Sequence, residues 1–265
     1  MNPPLIAALA VAGLLAGYPQ RAIIASYPPA EAPESQPQPQ LQPQPDAQPQ
    51  PQLQPHSQPQ SQPQHQPQHQ PLAAPPPWPK PPPWPAVGAV TAVLLAALAA
   101  RIYPAQSHPA LILAAACWLT VCAVPLAFTD AAVRRLPDRL TGAAYAGTLL
   151  LLLASAVVSG PWSAVARAFL GGLVLAGFYF LLVIISPSGM GLGDVKLAAS
   201  LGALLAWFSW PTLLAGGLAG FLLAGLYGIA LLVTRRATRK HQLPFGPFMI
   251  AGALAVLLAW PAGLA

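Results

Sequence analysis

Eight apolar runs divide the chain, at about 5–26, 86–103, 110–129, 141–159, 166–186, 196–209, 211–233 and 247–263. Their length and Leu, Ala and Val content predict membrane helices. A spanning helix needs ~20 apolar residues, with a range of about 17–25. The first and sixth runs are marginal and rely on semi-polar flanks. Between the first two runs the pattern stops. Residues 28–85 are dominated by Pro and Gln, as in "QPQPQLQPQPDAQPQPQ" and "PPPWPKPPPWP". Proline removes backbone donors and glutamine brings no apolar surface, so this stretch has nothing with which to build a core. The reading is an all-α polytopic membrane protein of about eight transmembrane helices, with a disordered Pro/Gln-rich insertion after the first. Its parts are a first helix at 1–27, a linker at 28–85 and a membrane-embedded domain at 86–265.

Composition agrees. Of 265 residues, 55% are hydrophobic and only 7% charged, where a soluble domain carries about 25% charged residues. The formal charge of +6 does not imply nucleic acid as a partner. Most Lys and Arg lie at the ends of apolar runs, not on a continuous basic face with interleaved aromatics. The first run has no basic residue before its apolar core, and Arg21 follows the core. A signal peptide has the reverse order, so the run reads as a retained helix with its N-terminus outside. Eight helices starting outside place the linker and the loops near 130–140, 187–196 and 234–246 in the cytoplasm. That side then holds ten Lys and Arg, and the other side holds only Arg101 and Arg167, as the positive-inside rule requires.

The linker reads as a solvated polyproline II chain, reaching on the order of 180 Å at ~3.1 Å per residue. Its tryptophan-bearing end has the chemistry to dock in an aromatic-lined groove of an unknown partner, though a plain spacer fits better. His56, His65 and His69 read as solvated linker residues. Cys117 and Cys122 lie inside one apolar run, without the C-x2-C spacing and polar flanks of a metal site. They read as helix-packing thiols, and no metal is expected.

The acidic residues narrow the function. Glu31, Glu34 and Asp46 belong to the linker, so the membrane part has three, Asp130, Asp138 and Asp194. All three fall on the same expected side. Asp130 closes the third helix in "FTDAAVRRLPDRLTG" and Asp194 opens the sixth in "SGMGLGDVKLAAS". Ionisable residues at membrane helix ends mark function by default. Two neighbouring carboxylates cannot both ionise cheaply, so they share a proton. The ionised member takes a proton from water and the protonated one polarises a carbonyl, which hydrolyses an amide without metal or covalent intermediate. Gly189, Gly191 and Gly193 allow positive φ and close backbone approach, which would present Asp194 to a water-filled pocket.

"GMGLGDVKL" carries the GxGD pattern of aspartyl intramembrane proteases. Upstream, Asp130 is followed by six residues, then Pro137 and Asp138, then Thr141. Downstream stands "LPFGPFMIAGAL" at 243–254, and "GLLAGYPQRAIIASYP" occupies the first helix and the turn after it. Together these closely resemble the type IV prepilin peptidase family over nearly everything except residues 28–85. The resemblance implies a membrane aspartic endopeptidase that removes the basic leader of prepilin-like precursors at the cytoplasmic face, typically after a glycine. It places the catalytic pair on Asp130 and Asp194. Many long members also methylate the new N-terminus and carry a cysteine-bearing cytoplasmic domain between the first two helices. Here that place holds the cysteine-free Pro/Gln segment, a short form, so methyl transfer is in doubt and no S-adenosylmethionine or other cofactor is expected.

The supporting residues have plainer readings as well. Asp138 fits a helix N-terminal carboxylate better than a third catalytic acid. Lys196 either holds charge at the pocket or snorkels to headgroups. "RRATRK" at 235–240 reads as a topology anchor and His241 as a solvated loop residue. Gly246 and Pro247 read as shaping the start of the last helix, with substrate contact the lesser reading. The alternative function is a proton-coupled transporter using the two aspartates. The expected placement of both near one face, away from the midplane, counts against it. A third reading makes the membrane part an anchor for the linker. The placing of two rare acids in glycine- and proline-marked turns opposes it.

Overall fold

The computed structural model describes residues 2–27, 82–105, 109–134, 136–185, 191–234 and 244–259. Residues 28–81 of the linker, with the histidines at 56, 65 and 69, and also the "RRATRK" run, His241 and Gly189 lie outside the described residues, while Trp84 and Pro85 at the expected linker end already belong to a helix. What is described is a bundle of eight helices: α1 (Pro3–Ala25), α2 (Trp84–Ile102), α3 (Pro109–Val133), α4 (Asp138–Ser159), α5 (Trp162–Ile185), α6 (Leu192–Phe208), α7 (Trp210–Val233) and α8 (Gly246–Ala259). Prolines mark the first turns of α1, α2 and α7, where their missing N–H costs nothing. The Ser209 hydroxyl caps α7 by accepting from the Thr212 N–H at 3.2 Å. α4 stops at Gly160, whose φ of 87° lies in the left-handed region where a glycine ends a helix without strain.

Six of the eight helices, α1 to α5 and α7, are long and apolar enough to cross a membrane. This corrects the expectation of eight. α6 has 17 residues, or roughly 26 Å at 1.5 Å per residue, against a hydrocarbon core of about 30 Å, and α8 has 14 among the described residues, its expected end at 263 lying outside them. Enclosure explains α6. Eleven of its seventeen residues are buried, and it packs against α3, α4, α5, α7 and α8. A helix surrounded by protein need not match the thickness of lipid. The outer helices instead turn large apolar side chains away from the bundle, among them Leu15, Leu150, Val157, Ile185, Leu214 and Leu226. A surface this apolar fits lipid and not water. The chain is therefore a multi-pass membrane protein.

Close approaches without Cβ atoms hold the bundle together. A Cβ at Gly17 would lie 2.5 Å from the Gly88 Cα, so α1 and α2 meet backbone to backbone, as small residues permit in membranes.

Arg167 has a role that counting charges by side does not reveal. From the first turns of α5 it reaches the last carbonyls of α6. Its Nε donates to the Ala206 carbonyl at 2.6 Å, and one Nη donates to the Phe208 carbonyl at 3.2 Å and to that of Trp207. Those carbonyls have no intrahelical partners. A planar fork with several donors suits them and also opposes the negative end of the helix dipole. Arg167→Ala is expected to lower unfolding stability by about 2 kcal/mol, in the range of hydrogen bonds to charged groups. Denaturant unfolding in detergent micelles checks this, with Arg167→Lys expected to recover only part of the loss.

Candidate active site

α3 runs further than its apolar pattern suggests, so Asp130 lies inside its last turns and not at its end. The helix closes at Arg134, which adopts φ 54°, a left-handed conformation costing a non-glycine residue roughly 1–2 kcal/mol. The Arg134 N–H still bonds the Asp130 carbonyl at 2.8 Å. The chain then turns through Leu136 and Pro137 into α4. α6 likewise starts earlier than expected, at Leu192, which puts Asp194 in its first turn.

These turns meet in one cavity of about 380 Å³, lined by Asp130, Arg134, Leu136, Pro137, Asp138, Gly191, Gly193, Asp194 and Tyr27. Both Asp130 and Asp194 are buried, at 4% and 6% exposure. A backbone amide holds one oxygen of each. The Gly246 N–H at the start of α8 donates to Asp130 Oδ2 at 2.9 Å. The Gly191 N–H just before α6 donates to Asp194 Oδ2 at 3.1 Å. Both donors lie at helix N-termini, where the dipole favours negative charge. Asp194 Oδ1 is buried without a hydrogen-bond partner among the described residues.

The glycines act differently from expectation. Gly191 is extended, at φ −93° and ψ 158°, and Gly193 lies within α6, so neither uses a positive φ. What Gly193 supplies is space, since a Cβ there would sit 2.7 Å from the Leu136 Cβ. The α3–α4 turn thereby comes down onto the start of α6, and the two aspartates enter the same cavity.

Asp138 is the first residue of α4, and its carboxylate reaches Lys196 Nζ at 2.6 Å. The expected capping contact gives way to this pair, because Lys196 lies only two residues beyond Asp194 and faces the α4 start. The side chains are 74% and 50% exposed, and such a pair contributes at most ~1 kcal/mol. It bridges α4 and α6 beside the cavity that Asp138 lines.

Gly246 is the contact that sequence reasoning undervalued. The signal was present in "FGPF", a glycine and a proline at a helix start, but its partner Asp130 is 116 positions away. Tyr27 and Arg134 line the cavity without having been singled out for it.

The architecture is that of a polytopic membrane protein with two enclosed carboxylates at one end of its bundle. The model of the type IV leader peptidase family matches residues 113–233, which include Asp130, Asp138 and Asp194. The leader peptidase HopD of Salmonella typhimurium is 38% identical over 132 residues, covering 48% of this chain and 81% of that protein. The prepilin leader peptidase/N-methyltransferase of Aeromonas salmonicida is 39% identical over 146 residues, covering 54% of this chain and 48% of that protein. Its counterpart in Aeromonas hydrophila is 37% identical over 170 residues, covering 63% and 56%. The chain thus spans about half the length of these two longer relatives. No solved structure matches it. The chain belongs to the type IV leader peptidase family.

Proposed function

We propose that this protein is a membrane-embedded aspartic endopeptidase that cuts the basic leader from prepilin-like precursors. The observation that carries the reading is the shared cavity, which two buried carboxylates enter from α3 and α6. In this scheme a water molecule lies between Asp130 and Asp194. The ionised carboxylate removes its proton as it attacks the scissile carbonyl, and the protonated one donates to the carbonyl oxygen. The amides of Gly246 and Gly191 hold one oxygen of each aspartate, and the second oxygen of Asp194 has no hydrogen-bond partner among the described residues. Collapse of the tetrahedral intermediate returns a proton to the leaving nitrogen.

Gly191 and Gly193 form the wall against which the residue before the cut is fitted. Asp138 and Lys196 stand beside the opening as supporting residues, and Gly189 lies just upstream of that wall in sequence. The site faces the cytoplasm of an inner or plasma membrane, supported by the ten-to-two bias of Lys and Arg. The seating of both aspartates at one end of the bundle weighs against a transporter, which needs access from two sides.

The Aeromonas relatives are named for methyl transfer as well. We limit the proposal to the peptidase step, as a short form. The stretch between α1 and α2 contains no cysteine and belongs to a linker at 28–85, separate from the peptidase domain at 86–265.

The test is incubation of membranes containing the protein with a precursor that has a basic leader, a glycine and an apolar stem. Mass spectrometry of the product should place the new N-terminus directly after the glycine. An uncut precursor, or a cut elsewhere, overturns the reading. Deleting residues 36–75 should keep cleavage within about threefold of the full chain, since a Pro/Gln-rich sequence brings no apolar surface to a core. Co-expression of the deletion variant with precursor checks this, and full loss of processing at normal expression would make the segment a substrate recruiter.

A further inference from the structure

Gln20 is buried, at 2% exposure, near the end of α1. Its side chain joins three helices. Nε2 donates to the Val121 carbonyl of α3 at 2.9 Å, and Oε1 accepts from the Thr91 hydroxyl of α2 at 2.9 Å. The same hydroxyl lies 3.0 Å from the Val87 carbonyl, and its single proton serves one acceptor at a time.

Val121 stands four residues before Pro125, which lies inside α3. In an unbroken helix the Val121 carbonyl would accept from the N–H of residue 125. Proline has no N–H, and its ring crowds that same carbonyl. No water is available in a bilayer to make good the loss. Gln20 supplies the missing donor from another helix. One turn beyond, the Thr129 hydroxyl donates to the Pro125 carbonyl at 2.8 Å, and Asp130 follows. The break in α3 thus stands ~7.5 Å along the helix from the aspartate, at 1.5 Å per residue.

We propose that Gln20 is a positioning residue for Asp130. By closing the gap that Pro125 opens, it ties α3 to α1 and α2 and fixes the direction in which the last turns carry Asp130 into the cavity. The inference rests on the reading of Asp130 as half of a catalytic pair.

The experiment is a double-mutant cycle in the full chain, reconstituted in lipid with a prepilin-type precursor. Gln20→Met keeps the length and removes the donor. It should lower kcat about tenfold with KM within about twofold, because a small misplacement of a reacting group costs rate and not affinity. Pro125→Ala gives the Val121 carbonyl an intrahelical donor again. In that background Gln20→Met should cost less than about twofold. A wild-type kcat for Gln20→Met, or an equal loss in both backgrounds, overturns the proposal.

Position is also read without catalysis. In a Cys117→Ala, Cys122→Ala chain carrying Asp130→Cys and Asp194→Cys, Gln20→Met should change the rate of disulfide formation at least about threefold, and Pro125→Ala should cancel the change. An unchanged rate overturns the proposal even where Pro125→Ala by itself stops cleavage. Asp130→Asn, run in parallel, separates the two claims. Wild-type cleavage by that variant removes the catalytic reading, while the cross-linking cycle still decides the role of Gln20.

Discussion

Asp130→Asn and Asp194→Asn are each expected to lower precursor cleavage by at least about a thousandfold, within the range attributed to acid–base catalysis, with the protein still inserted in the membrane. Asparagine keeps the shape and can still accept from the Gly246 or Gly191 amide. What it loses is the ability to take or hold a proton. In the proposed mechanism the two carboxylates serve one reaction in different protonation states, so either loss removes the unit, and the double variant should be no worse than the single ones. Initial rates in membranes, normalised to the amount of protein inserted, measure this. A single variant with near-normal cleavage would reject the pair.

A second large effect is expected at Gly246. A Cβ there would stand 2.9 Å from Asp130 Oδ2 and 3.3 Å from its carboxyl carbon. Neither the carboxylate nor the start of α8 can yield without lengthening the bond from the Gly246 N–H. Gly246→Ala should therefore lower kcat about tenfold or more, in line with the sensitivity of reacting groups to small misplacements. Gly225 offers the control, since a Cβ there meets nothing within 4 Å. Gly225→Ala should leave cleavage and thermal midpoint unchanged. Equal activity of Gly246→Ala and Gly225→Ala would show that the amide contact has no functional weight.

The helices were legible because long apolar runs leave the chain few alternatives. The two aspartates stood out because acid is rare in this composition and both occur in turns marked by glycine or proline. The number of spanning helices was not legible. An apolar run looks the same whether lipid or protein surrounds it, and α6 is surrounded by protein. Contacts across long separations were hidden as well. Gly246 finds Asp130, Gln20 finds Val121, and Arg167 finds the end of α6, each through tertiary packing that no local pattern encodes. Gly193 shows a different shortfall. The residue type suggested an unusual dihedral angle, whereas the fold uses the absence of a side chain to seat Leu136.

The enclosure of α6 bears on how the protein responds to the membrane around it. When bilayer thickness changes, spanning helices adjust by tilting, at a cost of fractions of a kcal/mol per Å of mismatch. α6 is shorter than the hydrocarbon layer and buried along most of its length, so the lipid has little direct grip on it. Its far end is gripped by Arg167 and its near end lies under Leu136. Thinner or thicker bilayers are therefore borne by the outer helices as a change of tilt, while the helix carrying Asp194 keeps its depth relative to its neighbours. The proposed reacting centre is suspended inside the bundle like a compass in gimbals, its bearing set by protein contacts and not by the lipid outside.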